Sequence, residues 1–311
     1  MDPLVIVQIV VAALQDLLFA AAAGALACSA LRSSNDQRRR LNTQPMRARV
    51  PLGRVRFASL CMLVLACCVY LQLEAAVMSG STFVAAGSVV GAVLTQSHFG
   101  VAWSVGCGGA VLACLGGHRD TRAAWWLAAV GMLLYAVGKA AASHAADAGD
   151  FTFREAVHVV HLCATALWAG SVIVAAPLLH RWSDTANHAA KEREGFCTRL
   201  SHLATMALAV VIVTGIYNAT QDTAHLAAPL LTVLYGRMLT LKLAFVTLAV
   251  LLGGYNRMVY LPRLQLTAAD GGVAYSDAQR RFNQLLAIEA VTMVAVLAVA
   301  GVLGHTSPSG G

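Results

Sequence analysis

The stretch 154–180, REAVHVVHLCATALWAGSVIVAAPLLH, constrains this chain most. It is an apolar run long enough to cross a bilayer, yet it carries two histidines three residues apart. At helical periodicity His158, His161, Thr165 and Trp168 share one face, a polar and aromatic stripe on an otherwise apolar rod. Arg154 and Glu155 open the run, and Ala169-Gly170-Ser171 is a small-residue step that lets a neighbouring helix approach closely. Imidazoles inside hydrocarbon are costly, so the expected place for this stripe is a bundle interior, a cavity or a metal ion. The plainer reading is that each histidine only hydrogen-bonds an adjacent helix.

Composition widens this to the whole molecule. Of 311 residues, 58% are hydrophobic and 12% charged, with mean hydropathy +0.68, more apolar surface than a soluble domain of this length buries. The expected fold is all-α, a polytopic eight-helix membrane bundle forming one domain over 1–311. The spans fall at about 3–31, 57–79, 99–117, 123–144, 155–180, 200–220, 235–259 and 282–304. Residues 80–98 are apolar but rich in Gly and Ser, and read as a short helix lying on or dipping into the surface. The start MDPLVIVQIV lacks a basic leader, so no cleavable signal peptide is expected. The eight cysteines lack CxxC metal spacing and sit almost entirely in apolar runs, as reduced packing residues or, less commonly, soft-metal ligands. There is no internal repeat, catalytic triad context or phosphate-binding glycine loop, so neither an enzyme nor nucleotide-driven transport is expected.

Charge sets the orientation. The alternate loops 32–56, 118–122, 181–199 and 257–281 hold 8, 2, 4 and 4 of the 22 basic residues. Such clustering in alternate short loops reports topology, not nucleic-acid binding, and the positive-inside rule places these loops in the cytoplasm and both termini outside. His98, His144, His158, His161, His225 and His305 then fall near external span ends, and His118, His180, His188 and His202 on the cytoplasmic side. Asp147, three residues after His144, either orients that imidazole through its second nitrogen or is a plain loop acid.

Other polar groups lie within the spans. Cys67, Glu74 and Met78 recur at helical spacing, a thiol, a carboxylate and a thioether on one stripe. Sulfur donors favour Cu(I), while imidazole accepts either copper state and zinc; Met78 also reads as ordinary packing. Asp16, Lys242 and Glu289 are expected to pair with one another or to line a path for ions or protons. Tyr217-Asn218 and Tyr255-Asn256 are read as helix-end punctuation.

These residues carry a resemblance. His161–Gly170, HLCATALWAG, resembles the HLxAxxxWxGG signature of the copper resistance protein D (CopD) family. Ser143–Ala146 resembles that family's GHA element, and Ser97–Trp103 its TxFGxxW segment. Arg199-Leu200-Ser201 followed by Thr214–Asn218 is similar to its FSxxA…TGxYN span. Tyr235–Lys242 with Tyr255–Arg257 is similar to its YGRxLxxKxxL…NR span, and Leu303–Pro308 to its tail. The chain departs from the pattern at Gly106, where arginine is common, at Ser171, in place of a second glycine, and at His98, a position often basic or variable.

The resemblance implies a bacterial inner-membrane protein that takes copper from the periplasm, commonly beside a small periplasmic copper carrier. The candidate metal residues are His144, His158 and His161, with His98 and His305, and then Met78, Glu74 and Cys67 as a path; Trp168, Asp147 and Lys242 are the candidate support. Two rivals stay open. Paired histidines on neighbouring spans also hold haem b in electron-transfer proteins, with His144 and His158 or His161 as axial ligands. A structural or assembly subunit would use its histidines only to bridge helices.

Overall fold

The computed structural model describes residues 3–39, 52–117, 121–143, 152–182, 189–221, 233–268 and 272–306. Among them every element is helical: α1 (Pro3–Arg39), α2 (Leu52–Ser79), α3 (Val90–Gln96), α4 (His98–Gly117), α5 (Arg122–Ala141), α6 (Phe153–His180), α7 (Ala189–Gln221), α8 (Leu234–Tyr255), α9 (Leu261–Thr267) and α10 (Gly272–Leu303). Eight helical stretches are long and apolar enough to cross a membrane: α1, α2, α4, α5, α6, α7, α8 with its continuation, and α10. The all-α, eight-span expectation is met.

Hydropathy marks where hydrocarbon ends, not where a helix ends. α1 runs on to Arg39, α7 begins at Ala189, and α10 begins at Gly272. After α8 the chain continues through a π-helical turn, Asn256–Tyr260, straight into α9. The segments expected as loops at 32–56, 181–199 and 257–281 are therefore partly helical, and Tyr217-Asn218 and Tyr255-Asn256 lie inside continuous helix. Helix hydrogen bonds are internal to the segment and persist where the rod leaves lipid, and Arg, Gln and Glu are good helix formers. The stretch 80–98 is a 3₁₀ turn, Ala85–Ser88, followed by α3. Seven residues of α3 rise about 10 Å, a third of a bilayer core. The 3₁₀ turn and α3 pack Ala86 and Val93, respectively, onto Leu71, Ala75 and Ala76 near the C-terminal end of α2.

α1 is the hub, packed against α2, α6 and α10, while α4 pairs with α5, α7 with α6, and α8 with α10. Two seams are backbone against backbone. A Cβ at Gly170 would lie 1.8 Å from the Ala20 carbonyl oxygen, and one at Gly24 1.9 Å from that of Gly170, so α1 and α6 touch only because both are glycine. This is the close approach expected of the Ala169-Gly170-Ser171 step. On α4 and α5, Gly109 and Gly131 interlock in the same way. Without a hydrophobic force between helices in lipid, such contacts carry the association.

Three arginines tie helices together. Arg56, 2% exposed, donates through Nη2 to the Gly117 carbonyl at the end of α4, at 3.2 Å. Arg193, wholly buried, donates to the Leu179 carbonyl at 3.0 Å and to Asn283 Oδ1 at 2.9 Å, joining α6, α7 and α10. Arg257, in the π turn, donates to the Ser201 carbonyl at 3.0 Å and to Thr205 Oγ1. Arginines counted as topology signals thus also bind helix carbonyls and cross-link neighbouring helices.

Candidate functional site

Thr152 starts α6 by accepting the Glu155 backbone N–H at 3.2 Å, with Glu155 three residues on: a capping box that fixes where the helix begins. From that start the 3.6-residue period turns His158 and His161 towards α7. Their rings lie nearly parallel, 16° apart, with centroids 6.4 Å apart. His161 Nδ1 is 2.9 Å from Thr214 Oγ1, and His158 Nδ1 is 3.5 Å from Asn218 Nδ2. Thr214 and Asn218 are the first and last residues of the TGIYN run.

Donor counting fixes the His161 tautomer. A threonine hydroxyl has one proton, and that of Thr214 goes to the Val210 carbonyl at 2.6 Å. The oxygen must then accept from His161, which places the proton on Nδ1 and leaves the lone pair on Nε2. This is how an outer hydrogen bond prepares an imidazole for a metal ion. Gly215 keeps the space beside the ring open: a Cβ there would lie 3.5 Å from His161 Cε1.

The charges facing the pair come from four helices. Lys242 of α8 acts on both rings, and Lys139 of α5, Asp16 of α1 and Arg154 of α6 act on His158. Asp16 is ion-paired with Lys139. The expectation that Asp16 pairs with Lys242 or Glu289 is therefore corrected. Lys139, a lone cation in an apolar run, holds the acid, while Glu289 is set against Gly253, where a Cβ would lie 2.8 Å from its Oε1. Trp168, 3% exposed, is core packing two turns beyond His161, and its carbonyl accepts from Ser171 at 3.1 Å. Thr165 Oγ1 is buried without a hydrogen-bond partner.

A second polar group joins the C-terminal ends of α2 and α10 to the start of α1. Glu74 accepts a hydrogen bond from Gln8, whose amide also reaches Tyr70 Oη at 3.4 Å. His305 donates from Nδ1 to the Gly301 carbonyl at 2.9 Å, so its Nε2 accepts from Tyr70 at 3.1 Å. Both nitrogens of His305 are engaged, and it latches α10 to α2. Met78, 55% exposed, and His98, exposed at the first turn of α4, lie beyond this group. Cys67 is buried, its carbonyl accepting from Trp103 Nε1 at 3.0 Å.

The structure thus brings His158 and His161 together, and separately groups Glu74 with His305. His144 and Asp147 lie outside the described residues. No group of three or more His, Cys, Asp or Glu with metal-binding geometry occurs among the described residues. Sequence reasoning missed Lys139, Gln8 and Tyr70, and the role of Thr214 as partner of His161. The first was legible as a solitary charge in a span; the others become visible only when neighbouring helices are in register.

Eight crossing helices with a histidine pair held between them define a multi-pass membrane protein with an interior polar site. Residues 1–152 match the family model described as Copper resistance protein D-like, N-terminal domain, and residues 194–303 match the model described as Copper resistance protein D. The chain belongs to the copper resistance protein D family. No curated relative and no solved structure matches it. The histidine helix α6 falls between the two matched stretches.

Proposed function

We propose that this protein carries copper across the bacterial inner membrane from the periplasm, as a carrier and not an enzyme. Both termini and the Glu74–His305 end are periplasmic in this reading, and the Arg-rich segments cytoplasmic. The observation that carries it is the His161 Nε2 lone pair, prepared by Thr214 beside His158 inside a bundle of the copper resistance family. Two imidazoles are a partial ligand set for Cu(I) or Cu(II), and His144 is the proposed third ligand. Lys242 and the Asp16–Lys139 pair set the local field; a cation that has to pass close to Lys242 is held weakly enough to leave again. A small periplasmic copper carrier is the proposed donor.

The test is an absorption spectrum with elemental analysis on one detergent-purified sample, wild type beside His161→Ala. Near-stoichiometric copper in the wild type, lost in the variant, is the expected result. A Soret band weakened by the variant would instead assign haem b. Neither copper nor haem, even after copper addition, would leave a structural or assembly role.

A further inference from the structure

Five of the eight cysteines lie on one helix seam. On α2 they are Cys61, Cys67 and Cys68; on α4, Cys107 and Cys114. α2 and α4 run antiparallel, as the contacts Arg56–Gly117, Cys67–Trp103 and Tyr70–Phe99 require. Cys61 and Cys68 are seven residues apart, as are Cys107 and Cys114, so two thiol sets face each other at matching heights. The Cys61 and Cys114 sulfurs are 3.3 Å apart, and Cys107 interacts with the thiols of both Cys67 and Cys68. All five are free thiols. Two helical turns separate the rungs, about 10 Å.

A second observation points to a ligand at the inner rung. Tyr135 of α5, 3% exposed, has a buried hydroxyl with no hydrogen-bond partner, within electrostatic reach of Cys67 and Cys107. The Lys139 cation also acts on Cys67. The orphaned hydroxyl suits a site where sulfur becomes anionic, while the Lys139 charge there is offset by its partner Asp16.

We propose that this seam is a thiol ladder that holds a soft monovalent metal ion between two thiols at each of two rungs, Cys107 with Cys67 or Cys68, and Cys61 with Cys114. Paired thiols are the donor set that such ions favour, and two-coordinate binding needs no third ligand. At each rung one thiol releases its proton to solvent as the ion binds. One thiolate, one thiol and one monovalent cation sum to zero charge, the arrangement hydrocarbon tolerates best. The rungs continue inward from the Glu74–His305 group along α2, so the ladder rests on the copper-carrier reading for its purpose, though not for its chemistry.

The experiment uses Ag(I), which has no redox chemistry here, on the reduced, detergent-purified full chain. Bound silver is counted for wild type, Cys61→Ser with Cys114→Ser, the triple Cys67→Ser, Cys68→Ser, Cys107→Ser variant, and His161→Ala. Expected is one ion fewer for each rung removed, with silver sulfur-ligated by X-ray absorption and the thiol sites retained in His161→Ala. Each rung serves as the folding control for the other, with gel filtration confirming a monodisperse protein. Equal silver in all forms would overturn the ladder, as would a Cys61–Cys114 disulfide in protein isolated without oxidant. Copper uptake by cells separates the two readings. Silver on the thiols without uptake keeps the ladder and removes the carrier; uptake unchanged by the serine variants, with no loss of silver, does the reverse.

Discussion

At the scale of the residue, the histidine pair shows how a neighbour's proton count decides chemistry. Thr214→Val keeps the shape but removes the acceptor that fixes the His161 tautomer. Copper affinity should fall about 10- to 100-fold, the usual effect of an outer-sphere partner, with the melting temperature little changed. A competition titration with a chromogenic Cu(I) chelator reads it. Lys242→Met removes a positive charge acting on both rings and should raise cation affinity about tenfold, or ~1.4 kcal/mol, in the same assay. Acid works the other way: a proton and a metal ion compete for the same nitrogen. Affinity should therefore fall once the medium is acid enough to protonate the two rings, as a copper titration at successively lower pH would show.

At the scale of the element, two substitutions test what holds the helices. Gly170→Val sets two methyls against the Ala20 carbonyl, with backbone on the other side that has nowhere to go. It should cost more than the ~1–3 kcal/mol of ordinary overpacking and lower the yield of folded protein on size exclusion. Arg193→Ala strips the Leu179 carbonyl and Asn283 of a buried donor, and a loss of about 1–3 kcal/mol in thermal denaturation is expected. The helices were legible in the sequence because lipid makes length and apolarity sufficient signals. Their ends were not: the helices run on to Arg39 and start at Ala189 and Gly272, in polar sequence where a helix and a loop have the same composition. The small step at 169–171 was readable as a contact, but not its partner, since any glycine-bearing span offers the same surface. The His158–His161 face followed from periodicity alone. That Thr214 and Asn218 meet it, and that Lys139 takes Asp16, depends on which helices are neighbours, and spacing along the chain holds no trace of that.

At the scale of the whole molecule, the alternating charge predicts one arrangement of the bundle across the bilayer. A reporter enzyme active only in the periplasm should work when fused after residue 306, and fail when inserted in the 183–188 segment. A further property follows from how unevenly the helices are held. α1 and α6 are joined backbone to backbone, as are α4 and α5, whereas α8 buries only Gly236 and Ala249 within its length and packs chiefly on α10. In mechanical terms the bundle is a stiff frame with one compliant stave. The compliant stave carries Lys242, the charge set against the histidines. Amide exchange should be fastest among the spans in α8, and on the copper-carrier proposal the swing of this single cationic helix would time the cargo's exit while the frame around it stays still.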